Sequence, residues 1–273
     1  MTQLISKHNN SPEDNDLPNE QCQAAITVST TSSSTSSSTS STKEAPQISQ
    51  VSAWLVPLVY AVGQYLVLPL YFRRVEVIGQ EWLPKSGPII LAPTHRSRWD
   101  ALMLPFATGI KVTGRNLRFM VSMNEVKGIQ GWFIRRLGGF AIDTLKPGIA
   151  SLRHSIELLQ QGEMMVIFPE GNIFRDRSVQ PLKAGFARLA LQADAGSAEH
   201  KLGIQVVPIS LTYSDRFVPW RSRVQIRIGK PLQVQNYCTG KAKQDAKVLT
   251  EDLRNSLQTM LTESCDALNL SQP

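Results

Sequence analysis

From residue 74 onward, short runs of apolar and β-branched residues alternate with stretches whose apolar positions recur at helical spacing. The runs Arg74–Gly79, Pro88–Thr94, Phe119–Met123, Phe140–Asp143, Met164–Pro169, Gln205–Leu211 and Arg223–Gly229 read as strands. Between them, Ile149, Leu152, Ile156 and Leu159 fall on one helical face, as do Leu182, Phe186, Leu189 and Ala193. A last helix is marked by Leu249, Leu253, Leu257, Met260 and Leu261. Strand and helix in turn predict an α/β domain over residues 74–270, with one mixed, largely parallel sheet flanked by helices on both faces.

The pattern changes toward the N-terminus. Residues 51–72 contain no charged side chain, and Arg73 and Arg74 follow directly. As one helix this segment would reach about 33 Å at about 1.5 Å per residue, enough to cross a hydrocarbon core. Pro57, Pro69 and Gln64 work against a straight span. The alternatives are a bent or interfacial helix with Trp54, Tyr60, Tyr65 and Tyr71 at headgroup depth, or a buried soluble helix. We expect residues 51–73 to be a membrane-anchoring helical segment, with the arginines placing the rest of the chain on the cytoplasmic side. Ahead of it, every residue from Ser29 to Thr42 is Ser or Thr, and residues 1–50 read as a disordered tail.

Charge sharpens this division. The formal net charge is +7, but residues 1–50 hold only Lys7 and Lys43 against five acids and contribute −3, leaving +10 for the remainder. A basic body suits anionic lipid, acidic substrates or nucleic acid. The basic residues are scattered and accompany no nucleic-acid reading motif, so no nucleic-acid partner is expected. Cys22, Cys238 and Cys265 lack the spacing of a disulfide framework, a zinc site or a redox motif, and no metal is expected. Neither G-x-G-x-x-G nor a P-loop occurs, so no nucleotide cofactor is expected.

Two loops carry reactive side chains where strands of such a sheet end, which is where ligands gather. The first reads Thr94-His95-Arg96-Ser97-Arg98-Trp99-Asp100. In a continuous helix His95 and Asp100 would point about 140° apart. They meet only if His95 precedes the helix and Asp100 lies in its first turn. Asp100 would then fix the imidazole tautomer and leave the second nitrogen as a general base. The bland alternative is a capping Asp beside a surface His. The second loop, Phe168-Pro169-Glu170-Gly171-Asn172, sets a carboxylate at the end of a buried strand, followed by a glycine that a ligand can approach closely. His154 reads as a surface residue, and Trp132, Phe133 and Ile134 as a core edge or a membrane contact.

H-x4-D after one strand, F-P-E-G after a later one, and Val206-Val207-Pro208-Ile209-Ser210 beyond both resemble, in order and spacing, the glycerolipid acyltransferase superfamily and its lysophosphatidate acyltransferase branch. The resemblance runs from about Val51 to Leu232. It implies that an acceptor hydroxyl, deprotonated by His95 with Asp100 orienting the ring, attacks a fatty acyl thioester of acyl carrier protein or coenzyme A. It further implies that Glu170 and Gly171 belong to the acceptor-binding block and Pro208 to the acyl-donor block. No cofactor is implied beyond the acyl thioester co-substrate. The absence of G-x-S-x-G agrees with direct attack by the substrate hydroxyl.

The chain departs from the family at cationic positions. Thr144 stands where an Arg is common, Ser122-Met123-Asn124-Glu125 where lysines are common, and Ile173 replaces the Arg of F-P-E-G-T-R. Arg175 and Lys183 are the expected substitutes for holding an acceptor phosphate, with Arg135, Arg136, Lys146 and Arg177 as further candidates. The expected reaction is acylation of 1-acylglycerol 3-phosphate to phosphatidate at a membrane surface. The alternatives are the same chemistry on another lipid alcohol, or a non-catalytic lipid-binding protein.

Overall fold

The computed structural model describes residues 51–143, 148–196 and 202–270. The Ser/Thr-rich tail lies outside the described residues, as do Thr144 and Lys146.

Three helical pieces open the chain: α1 (Leu55–Val62), a π turn (Gly63–Val67) and α2 (Leu68–Tyr71). Pro57 falls in the first turn of α1, where a missing N–H costs nothing. Pro69 would remove a bond from the helix interior, and the π turn just before it shifts the ladder, with Leu68 N–H donating to Gly63 O. Among the described residues no helix is long and apolar enough to cross a membrane. The helical segment expected of residues 51–73 is helical but broken, and of the alternatives the sequence left open a straight span is the one it does not form.

The body follows as β1 (Arg74–Ile78), β2 (Ile89–Pro93), α3 (Asp100–Thr108), α4 (Ile110–Thr113), β3 (Leu117–Ser122), α5 (Gly128–Arg136), β4 (Gly139–Ile142), α6 (Ile149–Gln160) and β5 (Met164–Val166). It ends with α7 (Gly185–Ala195), β6 (Gln205–Tyr213), β7 (Arg223–Ile228), β8 (Leu232–Gln233) and α8 (Ala242–Ala267). The sheet order is β1-β7-β6-β2-β5-β3-β4, with β8 beside β7 on β6. Strands β2, β5, β3, β4 and β6 run parallel, and β7 and β8 run against β6. Every residue of β2 and β5 is buried, as the continuous apolar runs of a doubly covered parallel sheet require.

One face carries α6, α7 and α8, whose Leu158, Leu159, Phe186, Leu189, Leu253 and Leu257 close over Ile90, Met165 and Val206. The other face packs α3 and the end of the N-terminal segment, through Met103, Leu104, Leu68 and Phe72, on Ile89, Leu91 and Ile209. Two sequence readings shift. Ile149 is exposed, because α6 turns Ser155, Leu158 and Leu159 inward, and Leu182 precedes α7 rather than lying on it. Gly138 holds the start of β4 at φ +91°, with Leu117 O where a Cβ would stand, so only glycine fits there.

Candidate active site

Five parallel strands end at the same edge of the sheet, and the loops beyond them build the site. The His95 loop follows β2 and the Phe168–Asn172 loop follows β5. Ser122 and Ile142 end β3 and β4, and Tyr213 ends β6. His95, Ser122, Ile142, Phe168 and Gly171 line one groove of about 470 Å³. This is the strand-end crevice where α/β sheets hold ligands.

His95 does precede the helix. The turn Ser97–Asp100 starts α3, and Asp100 comes back under the loop with its Oδ2 2.9 Å from His95 Nδ1. The same oxygen accepts the N–H groups of Arg96, at 2.7 Å, and Ser97, at 2.9 Å. Its other oxygen accepts the Tyr213 hydroxyl at 2.7 Å. Asp100 is fully buried, and these donors satisfy a carboxylate that burial would otherwise penalise. A carboxylate only accepts, so the contact orients His95 with its Nδ1–H toward Asp100 and its Nε2 away from it. The imidazole is stacked on Phe168, with ring centres 3.9 Å apart, which joins the two motif loops at the reacting group. Burial and the adjacent Asp100 charge push the Tyr213 hydroxyl well above the usual tyrosine range, so it remains a donor.

Glu170 joins the loops a second time. Its side chain is buried, and its oxygens lie 2.9 and 3.1 Å from Arg96 Nη1. They also accept the N–H groups of His95, at 2.9 Å, and Gln180, at 3.0 Å. Arg96 in turn donates to Phe174 O and Ser178 O. The structure thus places Glu170 among the protein's own donors and one residue from the groove.

Gly171 does line the groove, with φ +73°, and the Lys183 side chain lies across it where a Cβ would stand. Arg175 sits elsewhere, over the Phe217 ring and in a cleft with Arg177, Asp176 and Asp215. Pro208 is buried inside β6, paired with Ala92, and accepts Gly229 N–H on the side where β7 gives way to β8. That break is where a strand tolerates a residue with no N–H. His154 is half-buried, its ring edge-on to Phe140, rather than a surface residue. Of the cationic candidates, neither Arg175, Lys183, Arg135, Arg136 nor Arg177 lines the groove. The one Lys or Arg among its described lining residues is Arg98, which the sequence did not single out.

A second cavity of about 350 Å³, largely apolar, runs between the N-terminal segment and α3. It shares Arg98, Ala101, Phe119 and Leu137 with the groove. The N-terminal segment is docked at the H-x4-D loop: Trp99 packs against Tyr71 and Phe72, with ring centres 4.2 and 5.2 Å apart.

Comparison with known proteins identifies this arrangement. A family model described as Acyltransferase matches residues 74–212, which hold both loops and strands β1 to β5, with β6 up to Thr212. This chain belongs to the acyltransferase family. Among relatives of this acyltransferase, a 1-acyl-sn-glycerol-3-phosphate acyltransferase of Bacillus subtilis is 25% identical over 190 residues, covering 68% of this chain and 87% of the relative. The human 1-acyl-sn-glycerol-3-phosphate acyltransferase alpha is 28% identical over 206 residues, 71% of this chain and 66% of that one. A Streptococcus pneumoniae relative of the same name is matched over 51% of its length. The crystal structure of the 1-acyl-sn-glycerophosphate acyltransferase PlsC of Thermotoga maritima superimposes with a TM-score of 0.59 at 19% identity, covering 77% of this chain and 79% of the other. That likeness shows the mixed, helix-flanked sheet. The named relatives fall in the branch that the motifs resemble.

Three residues at the centre of the acyltransferase site went unassigned by sequence reasoning. Tyr213 lies 113 positions from Asp100, and only the β2–β6 pairing brings them together. Its one signal is its place at the end of the Val206–Tyr213 run. Arg96 stands inside the first motif, but nothing in the sequence chooses Glu170 as its partner. Phe168 was seen only as part of its loop.

Proposed function

We propose that this acyltransferase moves a fatty acyl group from a thioester of acyl carrier protein or coenzyme A to the free hydroxyl of 1-acylglycerol 3-phosphate, giving phosphatidate. The observation that carries the reading is the His95–Asp100 pair at the groove. His95 Nε2 takes the proton of the acceptor hydroxyl as its oxygen bonds to the thioester carbonyl carbon. When the tetrahedral intermediate collapses, the C–S bond breaks and the leaving thiolate takes the proton from His95. Asp100, held by four donors, keeps the ring in the needed tautomer and balances the imidazolium. Glu170 acts through Arg96 and the His95 N–H as a positioning residue, while Gly171 lines the groove and leaves room for the Lys183 side chain across it.

The protein works at a membrane surface in this reading. Trp54, Leu58, Val62, Trp132 and Phe133 are exposed around one apolar depression of about 410 Å³, and apolar surface of this kind suits lipid. Anionic acceptor, carrier and membrane all match the basic body, and Arg73 and Arg74 beside the apolar segment favour the cytoplasmic side in this reading.

One observation favours a second reading. Ile173 lines the groove where the family pattern carries an Arg, which fits a different lipid alcohol as acceptor. Purified protein in detergent, given both acyl carriers and a panel of acceptors, separates the two. Fast transfer to lysophosphatidate is expected. Transfer confined to phosphate-free or larger-headgroup lipids would overturn the acceptor assignment and keep the chemistry.

A further inference from the structure

In 1-acylglycerol 3-phosphate the reacting hydroxyl and the phosphate sit on neighbouring carbons, so the cation that holds the phosphate must share the groove with His95. Arg98 is the Lys or Arg that meets this condition among the described lining residues, and it stands on the same loop three positions from His95. Its guanidinium is exposed and engaged two-pronged with Glu125, Nη1 to Oε2 at 3.2 Å and Nη2 to Oε1 at 3.1 Å. That fork is the geometry in which Arg grips a phosphate. Glu125 also lines the groove and accepts Gln130 Nε2 at 2.9 Å, so it keeps a partner when Arg98 leaves it.

We propose that Arg98 is the acceptor-phosphate ligand of this chain and that Glu125 is its resident stand-in, displaced when a phosphate monoester enters. Exposed ion pairs add little to stability, so the exchange costs little. A dianionic phosphate offers the same fork more charge than the carboxylate does. This inference rests on the phosphate-bearing acceptor proposed above.

The test uses full-length protein carrying His95→Ala, which binds without turnover, in mixed detergent micelles. Lysophosphatidate and a monoacylglycerol of the same chain are titrated, with and without Arg98→Gln or Glu125→Gln. Arg98→Gln weakens lysophosphatidate binding about tenfold or more and leaves monoacylglycerol binding unchanged. Glu125→Gln tightens lysophosphatidate binding. Equal lysophosphatidate affinity with and without Arg98, or equal losses for both lipids, overturns the proposal. Turnover by the otherwise unaltered protein is recorded in parallel. Arg98-dependent binding without transfer to lysophosphatidate upholds the phosphate site and sinks the acceptor reading. Transfer with binding indifferent to Arg98 does the reverse.

Discussion

Glu170 stands one position before a groove residue, yet its carboxylate faces Arg96 and two backbone N–H groups. Removing one partner of a buried pair leaves the other charge uncompensated, which costs about 3–5 kcal/mol. Glu170→Ala is therefore expected to lower the unfolding free energy measured in urea by an amount in that range, shifting the midpoint down, and to lose activity through the fold. An unchanged midpoint with a raised acceptor KM would make Glu170 a substrate ligand instead. His95 and Asp100 could be read together because they are five positions apart, and a helix start between them fixes their geometry. Tyr213 and the Arg96–Glu170 pair could not, because strand order, and not spacing, decides which distant side chains meet. The same holds for Arg98: its place in the groove depends on β3 and α5 forming the opposite wall.

The elements themselves were legible where burial imposes a period. The strand readings of β1, β2, β6 and β7 fall within two residues of the structure, since β2 and β6 are apolar runs and β1 and β7 alternate apolar with polar residues at the strand period. The α5 helix was not read, since Gly128 and Gly131 weaken its helical propensity and Gly131 is there for close packing on Val126. On α6 the inward face was misread by part of a turn, because Leu158 and Leu159 are adjacent and His154 fills the half-buried edge against Phe140. Burial holds His154 below the usual histidine range, with Arg118 adding to the shift and Glu157 opposing it. A lowered folded pKa means the unfolded chain takes the proton first. Stability is therefore complete above the ordinary histidine pKa of about 6.5 and declines as pH falls below it. Urea unfolding at pH 7.5 and pH 5 checks this: His154→Leu should lose less stability between the two than the parent. An identical loss would show that His154 does not carry the effect.

At the scale of the whole molecule, one edge of the sheet gathers His95, Asp100 and the groove, and an apolar surface built from α1 and α5 adjoins them. Gly63 of the π turn meets Leu102 of α3 closely, so the surface and the helix that follows the His95 loop are parts of one packed unit. Leu58→Asp with Phe133→Asp changes only exposed positions. The double variant should stay folded and lose about tenfold or more of its affinity for anionic lipid vesicles, as read by sedimentation. Undiminished binding would place the membrane contact elsewhere.

The central claim is that His95 is the base for acyl transfer, and steady-state turnover of His95→Ala tests it most directly. With an acyl thioester and lysophosphatidate, and with folding checked by unfolding midpoint, the rate should fall at least about a hundredfold. A folded variant that turns over as fast as the parent would contradict the mechanism.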